Sequence, residues 1–232
     1  YSKGSDLYIS IIGTDDILEL ESFFTDRNNK TLFGKSYTIS FADGTSMDKE
    51  AIKTSLSQIT GSLYDDNITG YAQDDTIRGL SGNDVIKAGD GSNTIDGGAG
   101  NDTLSAGSGN DTYIFSGDFG RDTISDTAGN DVISTDINAE KMMFERNGND
   151  LVIGSIGTDD SITVSEWYTN DTDKIETIRC SDGYSITSSQ IQLLIENMAS
   201  FTADNNNMSW AQAVNSGNAD ALARVQQFWT KA

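Results

Sequence analysis

Six polar side chains spaced nine residues apart set the possible chemistry of this sequence: Asp66, Asp75, Asp84, Asn93, Asp102 and Asp111. All but Asn93 are carboxylates, hard oxygen donors suited to a hard cation. Each stands two residues before a member of an apolar column, Ile68, Ile77, Ile86, Ile95, Leu104 and Tyr113. The 232 residues contain no histidine and one cysteine, Cys180. Ser-His-Asp and Cys-His arrangements and the usual zinc ligand sets are thereby excluded, and so is an intrachain disulfide framework. No catalytic residue is assigned, and the chain is expected not to be an enzyme. With 36 acidic against 15 basic residues the formal net charge is -21, which opposes nucleic acid and anionic membrane surfaces and invites cations.

Both columns belong to a nine-residue repeat: GSLYDDNIT (61–69), GYAQDDTIR (70–78), GLSGNDVIK (79–87), AGDGSNTID (88–96), GGAGNDTLS (97–105) and AGSGNDTYI (106–114). The glycine-rich half of each unit permits a tight turn, and the D-x-U-x half, with U apolar, is a minimal strand with one inward side chain. Two units make a coil of eighteen residues whose turns alternate between two edges. Asp66, Asp84 and Asp102 then align along one edge, and Asp75, Asn93 and Asp111 along the other. Carboxylates stacked at about 4.8 Å repel one another. A calcium ion between successive turns, taking about 6–8 oxygens from carboxylates and turn carbonyls, resolves the conflict. After an irregular step the pattern continues through Gly117, Gly120, Asp122 and Ile124, then Gly129, Asp131 and Ile133, as imperfect closing turns.

These units resemble the RTX (repeats-in-toxin) haemolysin-type calcium-binding nonapeptide G-G-x-G-x-D-x-U-x, which GGAGNDTLS matches at every position. The resemblance implies a mainly β fold: a right-handed parallel β-roll whose turns hold several Ca2+ ions, flanked by β-strand modules and followed by short C-terminal α-helices. As metal ligands it implies Asp66, Asp75, Asp84, Asp102 and Asp111, with Asp90 as a further carboxylate and Asp122 and Asp131 closing the last sites. The turn positions it adds are Gly79, Ser81, Asn83, Gly97, Ala99, Asn101, Ala106, Ser108 and Asn110. The sequence departs from the pattern at Asp65 and Gln73-Asp74, read here as standing in place of the central glycine, and at Asn93. Sites that use those turns are expected to be weak or empty.

A longer repeat flanks the roll, for SDLYISIIGTDDILELESFF (5–24) lies over NDLVIGSIGTDDSITVSEWY (149–168) without a gap. Leu151 and Ile153, then Ile162 and Val164, alternate as strands that continue the sheets. Asp15/Asp16 and Asp159/Asp160 sit in G-T-D-D hairpin signals and read as turn residues rather than a catalytic pair. Tyr8, Phe23, Phe24, Trp167 and Tyr168 read as packing, and Cys180 as a small buried hydrophobe. With FADGTS (41–46), CSDGYS (180–185) and MFERNG (143–148), the two copies resemble haemolysin-type calcium-binding-related modules.

The expected organisation is the end of a truncated module at 1–47, a connecting helix at 48–60, the roll at 61–135, a second module at 136–190 and a helical tail at 191–232, whose helices carry Ser and Asn caps. That tail resembles the uncleaved signal region of type I secretion substrates. The resemblance therefore implies a fragment of a larger secreted or cell-surface bacterial toxin, adhesin or exoenzyme, with calcium and the type I secretion apparatus as partners. A structural or adhesive array at the cell surface suits the same organisation.

Overall fold

The computed structural model describes residues 2–3, 6–10, 17–20, 38–40, 44–169, 174–204 and 208–231. They fall into two compact units, 1–56 and 57–232. In the first, β1 (Ser2–Lys3), β2 (Asp6–Ser10) and β3 (Ile17–Leu20) form an antiparallel sheet, and β4 (Thr38–Ser40) pairs with β5 (Ser46–Asp48). Helix α1 (Lys49–Leu56) starts where Asp48 Oδ1 accepts the Ala51 N–H at 2.8 Å, an N-cap. Asp15, Asp16, Phe23, Phe24 and the side chain of Tyr8 lie outside the described residues.

In the second unit the nine-residue spacing becomes a parallel β-solenoid. Strands β6 (Gln58–Thr60), β8 (Thr76–Ser81), β10 (Thr94–Ala99), β12 (Thr112–Phe115) and β14 (Val132–Thr135) stack in one sheet. Strands β7 (Asn67–Thr69), β9 (Val85–Lys87), β11 (Thr103–Ser105) and β13 (Arg121–Ser125) stack in the other. Register preserves each apolar column: Ile59, Ile77, Ile95, Tyr113 and Ile133 pair in turn, as do Ile68, Ile86, Leu104 and Ile124. With a single inward apolar side chain on most strands, and Phe115 beside Tyr113 on β12, the two sheets share a thin apolar core. The stacking step lengthens from 18 to 20 residues at Thr103↔Thr123 and Thr112↔Val132. The longer loop carries Phe119, which packs edge-on against Phe115 with ring centroids 5.3 Å apart.

The second long-repeat copy extends both sheets, as its alternation requires. Strand β17 (Ser161–Val164) adds in parallel to β13, followed by antiparallel β16 (Asp150–Ser155) and β15 (Met142–Asn147). Strand β18 (Thr177–Cys180) adds to β14, followed by antiparallel β19 (Tyr184–Thr187) and β20 (Thr230–Lys231). The 144-residue offset is visible in the pairing itself: Leu7↔Leu20 in the first unit corresponds to Leu151↔Val164 in the second. Trp167 is buried and Tyr168 half-buried, its ring under the Arg146 guanidinium at 4.3 Å. Cys180 is buried, and burial pushes its thiol up to about 12.

Helices α2 (Ser188–Asp204), α3 (Trp210–Asn215) and α4 (Ala219–Gln226) close the chain. Ser209 caps α3 with a capping box, and Asn218 Oδ1 accepts the N–H groups of Asp220 and Ala221 at the start of α4. Two boundaries differ from the sequence reading. The helix expected over 48–60 stops at Leu56, because Ile59 pairs beside Ile77 and makes Gln58–Thr60 the first rung of the roll. Thr230–Lys231, read as helix, is an edge strand on β19.

One residue of the roll is conformationally strained. Leu80 has φ +85° and is more than one-third exposed, whereas Gly89 and Gly98 hold the equivalent place with φ +85° and +94°. A left-handed backbone costs a residue bearing Cβ about 1–2 kcal/mol, partly offset by the greater unfolded-state freedom of glycine. Leu80→Gly is therefore expected to stabilise the calcium-loaded chain by roughly 1 kcal/mol in urea unfolding, and an unchanged or lower midpoint would refute the strain.

Candidate metal centre

The sixth-position side chains tie successive coils together. Asp84 Oδ1 accepts the Asp66 N–H at 2.8 Å, Asp102 Oδ1 that of Asp84 at 2.8 Å, and Asp122 Oδ1 that of Asp102 at 2.7 Å. On the other edge Asn93 Oδ1 accepts from Asp75 at 3.0 Å, Asp111 Oδ1 from Asn93 at 2.7 Å, and Asp131 Oδ1 from Asp111 at 2.8 Å. Glu176 closes this column by accepting the Asp131 N–H at 2.7 Å. Asp75, Asp84, Asp102, Asp111, Asp122 and Asp131 are at most 2% exposed, although a carboxylate prefers water.

A second ladder runs one residue upstream in the opposite sense. Asp65 Oδ1 accepts the Asn83 N–H and Asn83 Oδ1 that of Asn101, whose Oδ1 accepts from Arg121. Asp74, Ser92 and Asn110 do the same on the other edge, toward Ser92, Asn110 and Asn130. Asp65 and Asp74 are thus rungs, not replacements for the central glycine. The residues in that glycine's place are Tyr64 and Gln73, which correspond to Gly82 and Gly91 one coil on.

The inner ladder consumes Oδ1 of Asp84, Asp102, Asp111, Asp122 and Asp131, whereas in Asp75 Oδ2 is the occupied oxygen, accepting the Tyr71 N–H of its own turn. Oδ2 of Asp84, Asp102, Asp111 and Asp131, and Oδ1 of Asp75, are buried without a hydrogen-bond partner. Asn93 shows what such a place requires. Its Nδ2, the counterpart of those stranded Oδ2 atoms, donates to the carbonyl oxygens of Gly89 and Gly91 at 3.2 Å each. An amide brings positive hydrogens to the turn carbonyls, whereas a carboxylate oxygen brings a like charge, so the aspartate turns call for a cation that the asparagine turn replaces.

Glycine at the first position keeps this space open. A Cβ on Gly79 would stand 2.2 Å from Asp84 Oδ2 and 2.3 Å from the Gly97 carbonyl oxygen. At Gly61 the corresponding neighbours are the Gly79 carbonyl oxygen at 2.7 Å and Asp66 Oδ2 at 2.8 Å. Oxygens of two successive coils therefore face one small volume. Burial raises Asp75, Asp102 and Asp111 to about 6 and Asp122 and Asp131 to about 7, and lifts Asp84 as well. Ladder hydrogen bonds oppose the rise, and neighbouring carboxylates add to it.

The model of the RTX calcium-binding nonapeptide repeat (4 copies) matches residues 58–86, 78–113 and 115–138, the coils that carry these oxygens. The chain is an RTX calcium-binding repeat protein. The model of the haemolysin-type calcium binding protein related domain matches residues 6–51 and 150–190 of the same RTX protein, over the two long-repeat copies.

The stranded oxygens and the glycine-kept space fit the calcium ion that this family implies. Asp75, Asp84, Asp102, Asp111 and Asp131 would hold it with turn carbonyls, and a bound ion would supply positive charge that buried carboxylates otherwise lack. Asp66, half-buried, has its Oδ2 occupied by the N–H and hydroxyl of Ser62. Asp90 stands apart from the buried set: it is exposed, and its Oδ1 accepts from the backbone and hydroxyl of Ser108, which hold it below the usual carboxylate range. Among the turn positions, the Ala99 and Ser108 carbonyls accept from Gly82 and Gly91 at 2.9 Å, Ser81 pairs with Ala99 between coils, and Ala106 is buried. Asn83, Asn101 and Asn110 contribute side-chain rungs.

Three carboxylates escaped the sequence reading. Asp126, at most 2% exposed, lies beside Asp111 and Asp131. Glu176 reaches Asp131 from the second module, and Asp160, read only as a turn residue, accepts the Gly120 N–H at 3.0 Å. Asp126 was signalled by standing five residues before Asp131, as Gly97 stands before Asp102. Glu176 and Asp160 carried no such mark, since loop excursions bring them into line.

Two outcomes follow for this RTX protein. Asp102→Asn keeps the Oδ1 rung and turns the stranded oxygen into an amide donor, as at Asn93. It is expected to stabilise the chelator-treated chain by roughly 1 kcal/mol while weakening calcium binding, read by thermal melts and calorimetry; a destabilised chelated chain would contradict the amide-for-cation exchange. The second concerns pH. Because the folded carboxylates at about 6 to 7 lie above their ordinary 3.8, the metal-free roll binds protons that the unfolded chain has released. Its stability is therefore fullest below about pH 4 with respect to these groups and falls as pH rises through 7, while calcium binding weakens on acidification over the same interval. Chelator melts from pH 4 to 8 that rose instead would reverse the sign.

Proposed function

We propose that this RTX protein is a non-catalytic, calcium-dependent folding element of a larger protein exported by type I secretion. The supporting observation is the set of buried carboxylate oxygens with no hydrogen-bond partner, stacked in register through the coils. Where calcium is scarce, as in a cytosol, such a chain is pushed toward an extended state by the cost of burying uncompensated charge. Where calcium is abundant, each filled site at ten times its Kd adds about 1.4 kcal/mol, so a few sites add up to the stability of a whole domain. Export as an extended chain and folding outside are then two consequences of one ion gradient. Among the described residues no helix is long and apolar enough to cross a membrane. The absence of histidine from the sequence supports the non-catalytic reading.

The test is far-UV circular dichroism of the chelator-treated chain during a calcium titration, with magnesium as control. A calcium-selective gain of β signal between micromolar and millimolar ion is expected. A spectrum that is already folded in chelator and does not change would sink the export-coupled reading and leave a preformed scaffold.

A further inference from the structure

The closing turn of the roll departs from the others at its first position. Five residues before the sixth-position Asp or Asn the earlier turns carry Gly61, Gly70, Gly79, Ala88, Gly97, Ala106 and Gly117; the turn ending at Asp131 carries Asp126. At Gly79 and Gly97 a Cβ would press on the sixth-position Oδ2 of its own turn, so a side chain at that position is aimed at the carboxylate column. Here the chain places a third acid there. Asp111, Asp126 and Asp131 are all buried, and each offers a carboxylate oxygen within 4.8 Å of the other two. Two oxygens on opposite sides of one calcium ion stand about 5 Å apart, so this spread can be shared by a single ion.

Acids gathered in this way do not by themselves make a site. The additional observation is that Oδ2 of Asp111 and Oδ2 of Asp131 are both buried and unpartnered, on residues that are fully buried. Asp126 is meanwhile held in place from the core: the Tyr113 hydroxyl donates to its Oδ2 at 2.6 Å, and the Thr127 N–H donates to its Oδ1 at 2.6 Å. Neither bond brings positive charge to the two stranded oxygens. Tyr113 is the only member of its inward column with a hydroxyl, all the others being isoleucine, so the aromatic substitution and the extra acid occur together.

We propose that the closing coil carries a calcium site of its own kind, in which Asp126 supplies a third carboxylate to Asp111 and Asp131 and Tyr113 positions it. The proposal rests on the calcium-binding reading of the roll and goes beyond it by separating one site from the rest. More ligand charge raises affinity for a hard cation, so this is the tightest site of the described coils and the last to empty. Asp126 is the ligand; Tyr113 is a positioning residue.

Calorimetric titration of calcium into the chelator-stripped full chain tests it, comparing wild type with Asp126→Asn, Asp126→Glu and Tyr113→Phe. Asp126→Asn is expected to weaken the tightest class of sites by roughly tenfold or more and to leave the weaker class unchanged. Asp126→Glu and Tyr113→Phe are expected to retain most of that affinity, because the carboxylate remains. If Asp126→Asn binds calcium with the wild-type isotherm, or if Tyr113→Phe loses as much as Asp126→Asn, Asp126 is no ligand and the proposal falls while calcium binding by the roll stands. A wild-type chain that binds no calcium removes both readings. Terbium luminescence excited through tyrosine gives a readout that does not depend on an Asp126 variant folding. Emission from the first equivalent should drop in Tyr113→Phe, and undiminished emission would place the tightest ion elsewhere.

Discussion

Everything in the roll depends on buried carboxylates stacked one strand spacing apart. Asp84, Asp102, Asp111, Asp122 and Asp131 each use one oxygen to accept a backbone N–H from the neighbouring coil, and that bond keeps the turns in register. In Asp84, Asp102, Asp111 and Asp131 the other oxygen is buried with nothing to accept from. The bond that specifies the fold thus creates the charge that opposes it. A fold arranged this way has a stability set by whatever neutralises the stranded oxygens: a cation, a proton or, once in this sequence, an amide.

The thin core explains why that balance is decisive. Most strands contribute a single inward apolar side chain, β12 adding Phe115 to Tyr113, and among the described residues no helix covers either sheet in the purely solenoidal part. Apolar burial per residue is modest, so a few uncompensated carboxylates can outweigh it. Past the last coil the composition of the core changes. Phe144, Trp167, Phe201, Trp210 and Trp229 are buried around the second module and the tail, where hairpins and helices pack on the extended sheets. The same hairpins close the open end of a solenoid, whose unpaired strand would otherwise invite pairing with another chain.

The carboxylate columns end differently on the two edges. On one, Glu176 takes the place of the next aspartate and accepts the Asp131 N–H; on the other, Asp160 reaches back to the Gly120 N–H. Both belong to the second module, so it supplies terminal rungs as well as strands. The roll and the module behind it therefore share a hydrogen-bond system, consistent with their forming one compact unit.

Much of this was written in local spacing. A period of nine is enough to place Ile77 beside Ile95 and Asp84 beside Asp102, because a solenoid turns sequence distance directly into neighbourhood. The alternation in LVIGS and SITVS likewise foretells β16 and β17 and their place on the sheets. Local spacing could not separate the helix from the first rung at Gln58–Thr60, since a single isoleucine is ambiguous until its partner Ile77 is known. Nor could it show that the fifth-position side chains form an opposed ladder, that the Asn93 amide donates to two turn carbonyls, or that Asp126 and Glu176 join the column. Those depend on which oxygen meets which donor after the 18-residue step becomes 20 and a 45-residue excursion returns Thr177 to Val132. The repeat by itself determined the coil, its columns and its affinity for cations; only the tertiary structure decided where the columns end and which oxygens are left unpaired, because those contacts are made by segments that share no period.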